Sequence, residues 1–107
     1  LSSVDDDTTK ASKPLMCADP SGVDGLNAMI AWGFDYYSIG QETGKVVERL
    51  LKGEDAGSIG TVYITDPTKF ELWFNLDTAK KLGYTIPQSL QDSAAVLIKD
   101  GKTVRQK

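Results

Sequence analysis

The segment GFDYYSIGQETGKVVERLLKGED, Gly33 to Asp55, carries the spacing of one amphipathic helix with both of its ends specified. Asp35 suits the cap position, where a carboxylate accepts from free backbone N–H groups of the first turn. Gly53 follows the last periodic residue, where a left-handed stop is easiest without a Cβ, and Lys52 suits the negative end of the helix dipole. Between these ends Tyr36, Ile39, Gly40, Thr43, Val46, Val47, Leu50 and Leu51 recur at three- and four-residue spacing. Gln41, Glu42, Lys45, Glu48, Arg49 and Lys52 take the opposite face, with Glu48 and Lys52 forming a favourable i,i+4 pair. Gly40 and Gly44 cost helix propensity, so their expected use is close approach of another backbone. The pattern is that of a helix lying on a sheet.

Upstream of this helix, Pro14-Leu15-Met16-Cys17-Ala18 reads as a short, doubly buried strand that ends at the turn Asp19-Pro20-Ser21-Gly22. Ala28-Met29-Ile30-Ala31-Trp32 reads as a second buried strand, broken by Gly33-Phe34. Strand, turn, strand and helix in this order point to an α/β fold. In parallel α/β sheets the loops at the carboxyl ends of strands are where ligands bind, which makes Asp19 and Ser21 candidate ligand contacts. The same two side chains also have the chemistry to shape the turn alone, by bonding nearby backbone groups. Both readings stand at this point.

Downstream, Glu54 to Gly60 reads as a loop, and Thr61–Thr65 and Lys69–Asn75 as two strands separated by Asp66-Pro67-Thr68. In the second of these Phe70, Leu72 and Phe74 share a face, so Trp73 points the other way and either covers a neighbouring element or lines a site. Leu76–Leu82 is a short helix with Asp77 near its start and Gly83 at its stop, and Pro87 suits the first position of a further turn. Ala94 to Val104 reads as a small hairpin bent at Asp100-Gly101. Leu1 to Lys13, with its run Asp5-Asp6-Asp7, lacks the alternating ligands and glycine turn of a calcium loop and reads as a solvated helix or frayed terminus.

The whole is 107 residues, 40% hydrophobic and 25% charged, which suits one domain or a piece of one. A net charge of −3 without a basic block argues against a nucleic-acid partner. The chain contains no histidine and one cysteine, so the commonest general base and the usual zinc sites are excluded, as is an internal disulfide. Cys17 sits in an apolar run and reads as a buried, inert thiol. Dinucleotide and phosphate-loop glycine motifs are absent, and no serine has a nucleophile-elbow context. No metal and no cofactor is called for. Binding is favoured over catalysis.

Three segments then become recognisable. Gly33 to Gly44, Leu51-Lys52-Gly53-Glu54, and Asn75 to Pro87 (NLDTAKKLGYTIP) resemble the carboxyl-terminal part of ABC-transporter substrate-binding proteins. The branch is the one associated with tryptophan or other aromatic amino acids, on a type I periplasmic-binding fold of two Rossmann-like lobes. The resemblance covers most of residues 14 to 98. It implies that Asp19-Pro20-Ser21 faces a cleft between lobes, that residues 28 to 33 cross a hinge, and that the helix from Tyr36 packs on the first lobe. It further implies an extracytoplasmic location, in the periplasm or lipid-anchored at the cell surface, and a membrane permease as partner.

On this reading the chain, residues 1 to 107, is a carboxyl-terminal portion. It begins at Leu1 without an initiator methionine or signal sequence and is expected to be processed or partial. A missing amino-terminal lobe would leave sheet edges open, which favours pairing with another copy. The expected activity is solute capture for an importer by lobe closure around a small molecule such as an amino acid. Trp32, Phe34 and Tyr36 would supply aromatic walls, and Asp19 and Ser21 the polar contacts. The alternative is a ligand-sensing domain of a regulator on the same fold, which a helix-turn-helix upstream would support. A small α/β enzyme is a third reading, disfavoured by the missing residue types.

Overall fold

Five strands lie in one sheet in the order in which the chain makes them: β1 Met16–Cys17, β2 Ile30–Phe34, β3 Phe70–Asn75, β4 Val96–Lys99 and β5 Lys102–Arg105. They belong to a computed structural model that describes residues 1–107. The helices are α1 Ser2–Lys10, α2 Tyr36–Leu51, α3 Ala56–Ile59, α4 Leu76–Leu82 and α5 Gln88–Ser93. Strand β1 runs parallel to β2, with Met16 opposite Ile30 and Cys17 opposite Ala31. Strand β4 runs parallel to β3, with Trp73 opposite Val96, and β5 returns antiparallel. The fold is α/β, as the strand–helix order predicts. The chain divides into two compact units, Leu1–Gly33 with Glu71–Lys107, and Phe34–Phe70.

The first unit holds the core. Alternation along β3 sends Trp73 and Phe74 to opposite faces, and each face has its own apolar cluster. Trp73 packs with Val23, Ala28, Ala31, Ala95 and Val96. Phe74 packs with Met29, Ala79, Ile86 and Ala94. Trp73 is therefore a packing residue. Its indole N–H donates to Glu71 Oε2 at 3.0 Å, Glu71 takes both guanidinium nitrogens of Arg105 at 2.7 and 3.2 Å, and that guanidinium lies 6.0 Å over the indole. Helix α4 spans the residues that its sequence specifies: Asn75 caps it by accepting from Thr78 N at 3.0 Å, and Gly83 ends it at φ +81°. The expected hairpin also forms, with Asp100 and Gly101 at φ +52° and +72°. Its bend is tied down by Asp77, whose carboxylate accepts from the N–H groups of Asp100 and Gly101 at 2.8 and 2.9 Å.

Five expectations need correction. Helix α1 is not merely solvated: Asp5 is buried, and its carboxylate accepts from Asn27 N and Nδ2 at 3.0 and 3.1 Å. The strand expected over Pro14–Ala18 shrinks to two residues, and Met16 is exposed rather than doubly buried. The second strand runs through Gly33 to Phe34 instead of breaking at Gly33. Thr61–Thr65 forms no strand, because it has no neighbour in the sheet; Val62 and Tyr63 are exposed. Within the loop expected over Glu54–Gly60, Asp55 caps the short helix α3.

In the second unit α2 begins and ends where its residues dictate. Asp35 accepts from Tyr37 N at 3.2 Å and from the Ser38 hydroxyl at 2.7 Å, Gly53 turns the chain at φ +96°, and Lys52 pairs with Glu48 at 2.8 Å. Its apolar stripe is another matter. Ile39 and Val46 are half-buried, while Val47, Leu50 and Leu51 are exposed. No atom lies within 4 Å of a Cβ built on Gly40 or Gly44, so the close approach expected there is not made within this chain. No helix is long and apolar enough to cross a membrane.

Candidate functional site

The turn that leaves β1 is held by three independent constraints. Asp19 is extended (φ −137°, ψ 133°), as expected for a residue before proline, and carries the strand direction into the loop. Its carboxylate accepts from Ser21 N at 2.9 Å, which caps a single 3-10 turn over Pro20–Gly22. Two glycines then bring backbone close. A Cβ on Gly22 would lie 2.5 Å from the Cys17 sulfur, and one on Gly33 would lie 2.4 Å from the Ala18 carbonyl oxygen and 3.0 Å from Pro20 Cδ. Strand β2 can therefore seat the turn only through a residue without a side chain.

Asp19 and Ser21 are thus brought together, with Asp19 half-buried and Ser21 exposed. The turn-shaping role is realised in the Asp19 carboxylate's bond to Ser21 N. That bond engages Oδ1 of the carboxylate. Burial, then the negative charges of Asp19 and Asp5, push the Cys17 thiol above its ordinary range. Cys17 is half-buried rather than buried as expected, and the shift favours the protonated thiol.

Burial alternates along β2, with Ala31 and Gly33 inside and Trp32 and Phe34 exposed, so these two aromatic side chains take the same face of the strand. Trp32 belongs to the first unit with Asp19 and Ser21, whereas Phe34 and Tyr36 belong to the second. Within the second unit the Phe34 ring stacks on Phe70, with centroids 4.8 Å apart and planes at 29°. Tyr36, the first residue of α2, is 62% exposed. Sequence reasoning missed Phe70 as the partner of Phe34 and read Gly33 as a breaker. An aromatic–glycine–aromatic triplet, Trp32-Gly33-Phe34, was the available signal for a strand with one open face and one crowded one.

Chemically, the turn presents a carboxylate fixed by its own backbone and a neighbouring hydroxyl. That combination suits recognition of an ammonium group, since a charge-assisted hydrogen bond is stronger than a neutral one.

Comparison with known proteins identifies the family and the fold. The family model described as ABC transporter substrate binding protein matches residues 3–98. Among solved structures, a conserved domain protein from Vibrio cholerae O1 biovar El Tor is 33% identical, with a TM-score of 0.69 over 85% of this chain. The ABC domain in complex with L-Trp from Streptococcus pneumonia is 23% identical, with a TM-score of 0.69 over 85% of this chain, and shares the fold. The chain spans 29% and 30% of the lengths of these two structures. No match is found among curated proteins.

Proposed function

The chain belongs to the ABC transporter substrate-binding protein family, and from this premise we propose that it forms part of a cleft that captures an amino acid with a large side chain for an importer. The observation that carries this reading is the seated Asp19 turn, a rigid carboxylate at the carboxyl end of a parallel strand, where open α/β sheets bind their ligands. Asp19 takes the ligand ammonium, Ser21 adds a hydroxyl contact, and Trp32, Phe34 and Tyr36 provide aromatic surface. That the pneumococcal structure is a complex with L-Trp supports an aromatic side chain as cargo.

Because the chain spans under a third of its solved relatives, the remainder of the protein supplies the opposing wall. Ligand binds the closed form of the two lobes better and so shifts the population toward it, and a membrane permease reads that closed shape. The protein works outside the cytoplasm and carries out no chemistry on its cargo. The isolated chain, with the apolar face of α2 open, associates with itself.

Calorimetric titration of the full-length protein with L-tryptophan tests the reading. Asp19→Asn keeps the turn, because an amide oxygen also accepts from Ser21 N, but removes the charge. The expected loss is about 1.5–3 kcal/mol, on the order of ten- to a hundredfold in affinity. Unchanged affinity with an intact circular dichroism spectrum would leave Asp19 a turn residue only.

A further inference from the structure

A small cavity with a mixed polar and apolar lining lies at the other end of the sheet from Asp19. It has a volume of about 150 Å³ and is lined by Thr9, Ser12, Lys13, Asn27, Thr78, Lys81 and Leu82. Lys13 precedes β1 and Asn27 precedes β2, whereas Asp19 follows β1, and these two strands run parallel. The cavity is therefore separate from the turn described above.

Its lining departs from the composition of the chain. Acidic residues outnumber basic ones 15 to 12 overall, yet two lysines and no acidic residue line this cavity. Neither lysine takes part in an ion pair; those go to Lys45, Arg49, Lys52 and Arg105. Two acidic groups near the lining have backbone or amide partners of their own, and the charge of Lys81 also acts on one of them, Asp77. Asp5 is engaged by Asn27 N and Nδ2, and Asp77, four positions before Lys81, by the hairpin bend. Every polar side chain of the lining can donate a hydrogen bond: two ammonium groups, three hydroxyls and one amide. Ser12 is held in the left-handed region at φ +54°, a strained conformation outside glycine that turns the chain from α1 toward β1. The volume is well short of the ~300 Å³ and more that a drug-sized ligand needs.

We propose that this cavity is a binding site for a small tetrahedral oxyanion of the phosphate or sulfate type, held between the ammonium groups of Lys13 and Lys81. The proposal is independent of the solute captured at Asp19.

The test is a titration of the ¹⁵N-labelled chain with sodium phosphate and, separately, sodium sulfate, followed by amide chemical shifts, with sodium chloride at matched ionic strength as the reference. Saturable shifts confined to the amides of Ser12, Lys13, Asn27 and Thr78 are expected with the oxyanions and not with chloride. The double variant Lys13→Gln, Lys81→Gln should bind at least tenfold more weakly, while Lys102→Gln, away from the cavity, binds as the parent does. Shifts that grow linearly without saturation, that chloride reproduces, or that survive in the double variant would overturn the proposal.

Discussion

A Cβ on Gly33 would stand 2.4 Å from the carbonyl oxygen of Ala18, closer than any real Cβ contact. The obstacle is backbone, which cannot swing aside as a side-chain end can. Gly33→Ala should therefore displace the Asp19 turn and destabilise the chain by about 1–3 kcal/mol. Gly40→Ala is the control, since nothing lies within 4 Å of a Cβ there and the position is helical. It should stabilise by about 0.5–1 kcal/mol. Urea midpoints moving in the same direction for both would contradict the close approach.

Phe74 is 3% exposed in the core of the first unit and Leu50 is 42% exposed on α2. Phe74→Ala should cost about 3–5 kcal/mol, whereas Leu50→Ala should fall well short of the ~2–5 kcal/mol expected for a buried leucine. Thermal melts of the two variants check this. Equal losses would mean that the α2 stripe is covered in solution.

The second consequence of that open stripe is association. Contiguous apolar patches beyond a few hundred Å² are rarely left in water, and Val47, Leu50 and Leu51 are all exposed on one helix. Light scattering at micromolar concentration should give a mass above that of one chain, and Leu50→Glu should lower it. A monomeric mass for the parent chain would refute self-association.

Asp77 gives a pH signature. The N–H groups of Gly101 and Asp100 bind its carboxylate and hold its pKa below the ordinary aspartate value. A depressed folded-state pKa stabilises above the unfolded value, about 3.9, and that stabilisation is lost as pH falls through the folded value. Asp77→Asn should thus be less stable than the parent at neutral pH, with the gap closing as pH drops below about 4. A gap in melting temperature that stays constant from pH 7 to pH 3 would assign the effect to something other than this charge.

Much of this architecture was legible because it is written locally. Asp35 and Gly53 define α2, Asn75 and Gly83 bracket α4, and Asp100-Gly101 marks the hairpin, each through a bond or a φ value within a few residues. What escaped depends on partners distant in the chain. Asp5 reads as part of a solvated acidic run until Asn27 closes on it. Thr61–Thr65 has strand-forming residues, but a strand exists only where a neighbour accepts its hydrogen bonds, and none does. Gly33 looks like a break because its use is to clear room for Ala18. At the candidate site, Asp19 and Ser21 stood out by their place after a strand, but the two glycines that seat them, and Phe70 behind Phe34, are contacts that no local pattern encodes.

The excursion from β2 to β3 closes on itself. Phe34 stacks on Phe70, and Asp35 N donates to Lys69 O at 2.9 Å, so the segment starts and finishes at a single stapled neck. For a segment joined in this way the entropy of bringing its ends together grows only slowly with length, by about 0.6 kcal/mol per doubling. The neck makes everything between Asp35 and Lys69 a cassette. Evolution, or an engineer, can lengthen, shorten or exchange it while the five-stranded frame keeps its register.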